Sequence, residues 1–107
     1  MFDAAVDAGQ GKWAIGVDSD QYLTASPEQK PHILTSMVKH VDVATFDMIK
    51  SVADGNPLVG YKTYDLKANG VGYATSGGFI DDITDQMNSY AEKIKSGQIK
   101  VPTTPQG

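Results

Sequence analysis

The sequence contains no cysteine in its 107 residues. Disulfides and thiolate metal sites are therefore excluded, and the redox compartment is left open. Basic blocks are also missing: 13 acidic residues face 9 basic ones, for a net charge of −4. Without clustered Lys and Arg to neutralise phosphates, nucleic acid is not an expected partner. No apolar run approaches the roughly 18 residues that a membrane-spanning helix needs. His32 and His40, the two histidines, flank one strand-like run and have no third ligand in view, so no metal site is expected. The chain carries no nucleophile elbow, no phosphate loop and no dinucleotide fingerprint. Gly70-x-Gly72 lacks the third glycine and precedes no helix. Thr35 and Ser36 have no adjacent base, so nothing points to covalent catalysis or to a cofactor. Neither a signal nor a lipobox precedes the fold. Met1-Phe2-Asp3 runs straight into structured-looking sequence, and the start reads as a truncation or a shortened reading frame.

What is present is a small α/β pattern in which Trp13 to Lys39 is the organising stretch. Trp13–Val17 is a short apolar run halted by Asp18-Ser19-Asp20-Gln21, which reads as a buried strand. Tyr22 to His32, with two prolines and no periodicity, reads as a loop with at most one helical turn. Ile33–Val38 reads as a second strand, ending in Lys39. Ahead of these, Phe2, Ala5 and Val6 share a face of a short helix that Gly9 ends. The clearest helix covers 42–53. Val41, Ala44, Thr45, Met48, Ile49, Val52 and Ala53 line one side of it, and Gly55 with Asn56-Pro57 stops it. That stripe needs a partner surface. A strand is expected over 61–66, turning at Asn69-Gly70 into an antiparallel partner at 71–74. A last helix is expected over 80–95, burying Ile80, Ile83, Met87, Tyr90, Ala91 and Ile94 and ending at Gly97. Ile99–Val101 is expected as a short edge strand, residues 1–101 as the folded segment, and 102–107 as a flexible tail.

Asp18 is the leading site candidate, because ligands in open α/β sheets sit beyond the carboxyl ends of strands. The same position suits an Asp that starts a turn by bonding its own backbone. Asp18 and Asp20, two residues apart, could also hold a magnesium ion or form an acid–base pair. Turn chemistry accounts for both equally well. Trp13 reads as a core anchor rather than a stacking platform.

Four ordered blocks carry a resemblance. They are Trp13-Ala14-Ile15-Gly16-Val17-Asp18-Ser19-Asp20-Gln21, Leu34-Thr35-Ser36-Met37-Val38-Lys39, Gly70-Val71-Gly72-Tyr73, and Ile94-Lys95-Ser96-Gly97-Gln98-Ile99-Lys100-Val101-Pro102. Together they resemble the C-terminal part of the basic membrane protein family, the purine-nucleoside-receptor-like lipoproteins that serve ABC importers. The resemblance implies the C-terminal part of a type I periplasmic-binding-protein fold, with pieces of both lobes in this chain. Trp13–Val17 would belong to the second lobe and Ile33–Lys39 would cross between lobes. The helix at 42–53 would lie in the first lobe, and Tyr61 onward would return to the second. It also implies a nucleoside ligand, an ABC permease partner, and an extracytoplasmic location as a lipoprotein or periplasmic protein. In the family, an Asp at the position of Asp18 accepts from ribose hydroxyls and a Lys at the position of Lys39 donates to the sugar. Ser19 and Asp20 would stand behind them. The family's base-stacking residues fall in the part this chain lacks. The rival readings are a self-associating interaction module, forming a homo-oligomer or pairing with a first-lobe fragment, and a magnesium-dependent hydrolase built on Asp18 and Asp20.

Overall fold

A computed structural model describes residues 1–105 of the chain. Helix α1 (Phe2–Asp7) leads through a glycine turn to strand β1 (Ala14–Asp18). The loop that follows contains short turns and one 3₁₀ turn, Lys30–His32, before strand β2 (Ile33–Lys39). Helix α2 (Val41–Ala53) comes next, then a long irregular segment and the short strand β3 (Val71–Tyr73). A 3₁₀ turn, Asp81–Ile83, opens helix α3 (Thr84–Lys95). The sheet order is β1-β2-β3, with β1 parallel and β3 antiparallel to the central β2. This mixed α/β arrangement fits part of a periplasmic-binding-protein fold.

The helices follow the apolar periodicity and its stop signals. Gly55 (φ 73°) and Gly97 (φ 79°) take the left-handed conformation just past α2 and α3, where glycine has no Cβ penalty. Three expectations are corrected. Residues 61–66 form no strand; they are irregular chain running into a turn. Asn69 (φ 53°) does lie in a tight turn, closed by Gly70 N–H to the Asp65 carbonyl at 2.8 Å. That turn feeds β3 onto β2 rather than back onto 61–66, with Met37 opposite Tyr73 and Lys39 opposite Val71. β2 offered a free edge at which Met37 and Val38 are partly buried, whereas Val59 and Tyr61 lie in solvent. Ile99–Val101 is not a strand either, because Ile99 N–H folds back onto the Lys93 carbonyl at 3.0 Å and stays with the helix end. Residues 102–105 are irregular and exposed, and the rest of the expected tail, 106–107, lies outside the described residues.

The third correction concerns burial. Ile15 and Val17 of β1 are about half-exposed, as is Trp13, which packs against Phe79 with ring centroids 4.8 Å apart instead of anchoring a core. β1 is an edge strand here, and about half the surface of Ile15 and Val17 stays in solvent. The buried apolar residues are Ala5, Ile33, Ala74 and Ile80, with Thr35 and Ser36 beside them. Helix α2 buries no residue among those described, and Ile83 of the 3₁₀ turn and Tyr90 of α3 are exposed where the periodicity predicts burial.

Candidate ligand-binding site

The parallel register sets Asp18 opposite Val38, so the two strands finish side by side and Lys39 is the next residue along β2. Asp18 and Lys39 thus stand at the same carboxyl edge of the sheet. The Lys39 ammonium donates to Asp18 Oδ1 at 2.7 Å. Their side chains are 54% and 70% exposed respectively. A pair so exposed adds about 0–1 kcal/mol to stability, so the fold does not depend on it.

Asp18 is the last residue of β1, and its backbone is left-handed, φ 76°. A non-glycine residue there is strained by about 1–3 kcal/mol, and such strain concentrates at functional sites. Asp is among the few side chains that tolerate the region.

Ser19 is exposed on the loop after Asp18. Asp20 turns away from the Asp18–Lys39 pair. Its Oδ2 accepts the Ser76 hydroxyl from the loop between β3 and α3, while its Oδ1 is buried without a hydrogen-bond partner. Asp18 and Asp20 are therefore each engaged elsewhere, one by a cation and one by a hydroxyl. No group of three potential metal-binding side chains gathers among the described residues.

Lys39 also borders a shallow depression walled by His40, Val41, Ala44, Tyr64 and Val71. His40 fixes this corner by donating its backbone N–H to the Gly70 carbonyl at 2.9 Å. Trp13 precedes the strand that Asp18 ends, about 17 Å away at roughly 3.3 Å per residue. It cannot stack on a ligand held at Asp18.

Residues that sequence reasoning missed tie the neighbouring loops to the sheet. Gln21 donates its backbone N–H to Ser36 Oγ at 3.2 Å, and its side-chain Oε1 accepts Val17 N–H at 2.9 Å. Thr35 Oγ1 donates to the Ala74 carbonyl at 2.6 Å, tying β2 to the chain leaving β3. Apart from the Val17–Gln21 bond, these join residues 15 and 39 positions apart. No local pattern could have pointed to them.

Asp18 and Lys39 thus form an exposed polar pair at the strand ends of a half-open α/β sheet. The chain belongs to the family of PnrA-like ABC transporter substrate-binding proteins, whose model matches residues 1–105. A CD4+ T-cell-stimulating antigen of Listeria monocytogenes is 34% identical over 106 residues, covering 92% of this chain and 30% of that protein. An uncharacterized lipoprotein of Pyrococcus horikoshii is 34% identical, covering 96% of this chain and 34% of its own length. A second such lipoprotein, of Pyrococcus abyssi, is 35% identical with coverage of 97% and 34%. The chain spans about a third of the length of these curated relatives.

Proposed function

We propose that this chain forms the C-terminal portion, residues 1–101, of an extracytoplasmic substrate-binding lipoprotein. It would hold a purine nucleoside in a cleft between two lobes and deliver it to an ABC permease. The Asp18–Lys39 pair carries this reading. An ionised carboxylate only accepts and can take two neighbouring hydroxyls, which a ribose diol supplies. The ammonium has three donors and keeps two of them for the sugar oxygens while it balances the carboxylate. Both groups are exposed here, so their bonds gain full strength only when a second wall closes over them and excludes water. Helix α2 supports the two-lobe arrangement. It leaves the sheet directly after Lys39 and returns through the irregular segment 54–70, as an excursion into another lobe would. Ser19 and Asp20 serve the site from behind, Asp20 through Ser76.

Calorimetry with inosine, guanosine and adenosine tests the proposal in the longer protein that contains this chain as its C-terminal third. Asp18→Ala should weaken binding by about 1.5–3 kcal/mol, the weight of charge-assisted hydrogen bonds. Asp20→Ala should cost less. Equal losses, or none at Asp18, would sink the assignment. The 107-residue chain alone should bind at best very weakly, since the facing wall of the cleft and its base-stacking groups are not in it; micromolar affinity would contradict the two-lobe reading. The exposed apolar face of α2 favours a second reading, a self-associating interaction module. A mass of twice the monomer, with no nucleoside affinity in the longer protein, would support that instead.

A further inference from the structure

We infer that Gln21 is the positioning residue for Asp18, holding the strained backbone that presents its carboxylate beside Lys39. The problem it solves is local. After Asp18, the last residue of β1, the chain must reverse and come back by Gln21. Gln21 closes that excursion twice: its backbone N–H reaches Ser36 Oγ on β2 at 3.2 Å, and its side-chain Oε1 takes Val17 N–H at 2.9 Å. Residues 18–20 are pinned between these bonds, and the segment closes with Asp18 at φ 76°. The Gln21 carbonyl anchors the outgoing side by accepting Ala25 N–H at 3.0 Å.

The side chain has a slot made for it. Gly16 is buried in mid-strand, and a Cβ there would collide with Ser36 Oγ and come within 2.9 Å of Gln21 Oε1. Gly16, Ser36 and Gln21 thus form one unit, with the missing side chain of the first leaving room for the amide of the last. The amide oxygen rather than its NH₂ must face Val17, because the group it meets is a donor. Asp20 fastens the same loop from the far side through Ser76.

The inference rests on Asp18 being a ligand contact only for its purpose, so its test uses no ligand. A protein that binds no nucleoside would overturn the proposed function and leave this inference standing. In ¹⁵N/¹³C-labelled chain, a through-hydrogen-bond coupling between Val17 N and Gln21 Cδ is expected, together with the strong intraresidue amide–Hα NOE that marks positive φ at Asp18. In Gln21→Met, which keeps the length but loses the acceptor, the Val17 amide should exchange about tenfold faster and the Asp18 NOE should weaken. Gln21→Glu, which keeps an acceptor, should restore both. A folded Gln21→Met chain with unchanged Val17 exchange and an unchanged Asp18 NOE would overturn the assignment. If that variant fails to fold, absence of the Val17–Gln21 coupling in the unsubstituted chain would do the same.

Discussion

At the scale of single residues, Asp18 sets conformational ease against chemistry. Its left-handed backbone asks for glycine, and its place at the strand end asks for a group that can bind. Asp18→Gly should therefore leave thermal stability unchanged or raise it by up to about 1 kcal/mol, the relieved strain being partly offset by greater freedom of the unfolded chain. A melting curve checks this, and a fall of more than 1 kcal/mol would mean that the carboxylate is structural. As candidates, Asp18 was legible in the sequence because it closes an apolar run, and Lys39 only through the family resemblance. The strain at Asp18 was not, and neither were the roles of Gln21, Ser36 and Ser76. Those follow from contacts that exist only once the strands are paired and the β3–α3 loop comes down on the Asp20 turn.

At the scale of elements, α1, β1, β2, α2 and α3 follow from periodicity and stop signals, because each is decided within a dozen residues. β3 was legible as a strand but not in its partner. An Asn-Gly turn fixes where the chain reverses, yet which edge it then joins is decided by burial. Part of what fastens the chain at that edge is the Thr35 hydroxyl on the Ala74 carbonyl, both residues buried. Thr35→Val keeps the shape and strands the carbonyl, so a loss of about 1–3 kcal/mol is expected in urea denaturation. A loss below about 0.5 kcal/mol would mean that the carbonyl finds another donor. The irregular segment is tied to α2 differently. Ser51 Oγ accepts Leu58 N–H at 3.0 Å, and Lys62 donates to Asp47 at 3.1 Å. The hydrogen bond to Asp47 holds the Lys62 ammonium above its ordinary value of 10.5. The folded chain thus holds this proton more tightly than the unfolded one. The tie is fully present below pH 10.5 and is lost as the pH rises through the raised value. An NMR titration of the Lys62 ε-methylene should show a midpoint above that of free lysine, falling back in Asp47→Asn. Identical midpoints in the two proteins would show that the pair is not formed in solution.

At the scale of the whole molecule, the chain exposes far more surface than a finished domain of its mass. Its accessible area is 7853 Å², against about 5,800 Å² expected for a compact 11.4 kDa monomer. Its radius of gyration is 17.0 Å, where about 13 Å is usual at this length. The excess, about 2,000 Å², is as large as one side of an obligate interface. Much of it is apolar: Val41, Phe46, Ile49 and Val52 of α2 are 59–69% exposed, and Ile15 and Val17 add the open side of β1. Each such side chain forgoes up to about 1.5–3 kcal/mol of burial, and a small domain has only about 5–15 kcal/mol of stability in all. In a two-lobed protein the remaining two-thirds of the sequence would cover these faces. Alone, the chain should cover them with a second copy of itself. Light scattering across a micromolar dilution series should give a mass that rises with concentration, and Phe46→Glu together with Ile49→Lys should return it toward the monomer. Hydrogen exchange across 41–53 should be fast in the dilute chain and slow down as it associates. A strictly monomeric chain at every concentration, with slow exchange throughout α2, would show that the helix packs against this chain's own sheet in solution and that its apolar stripe needs no outside partner.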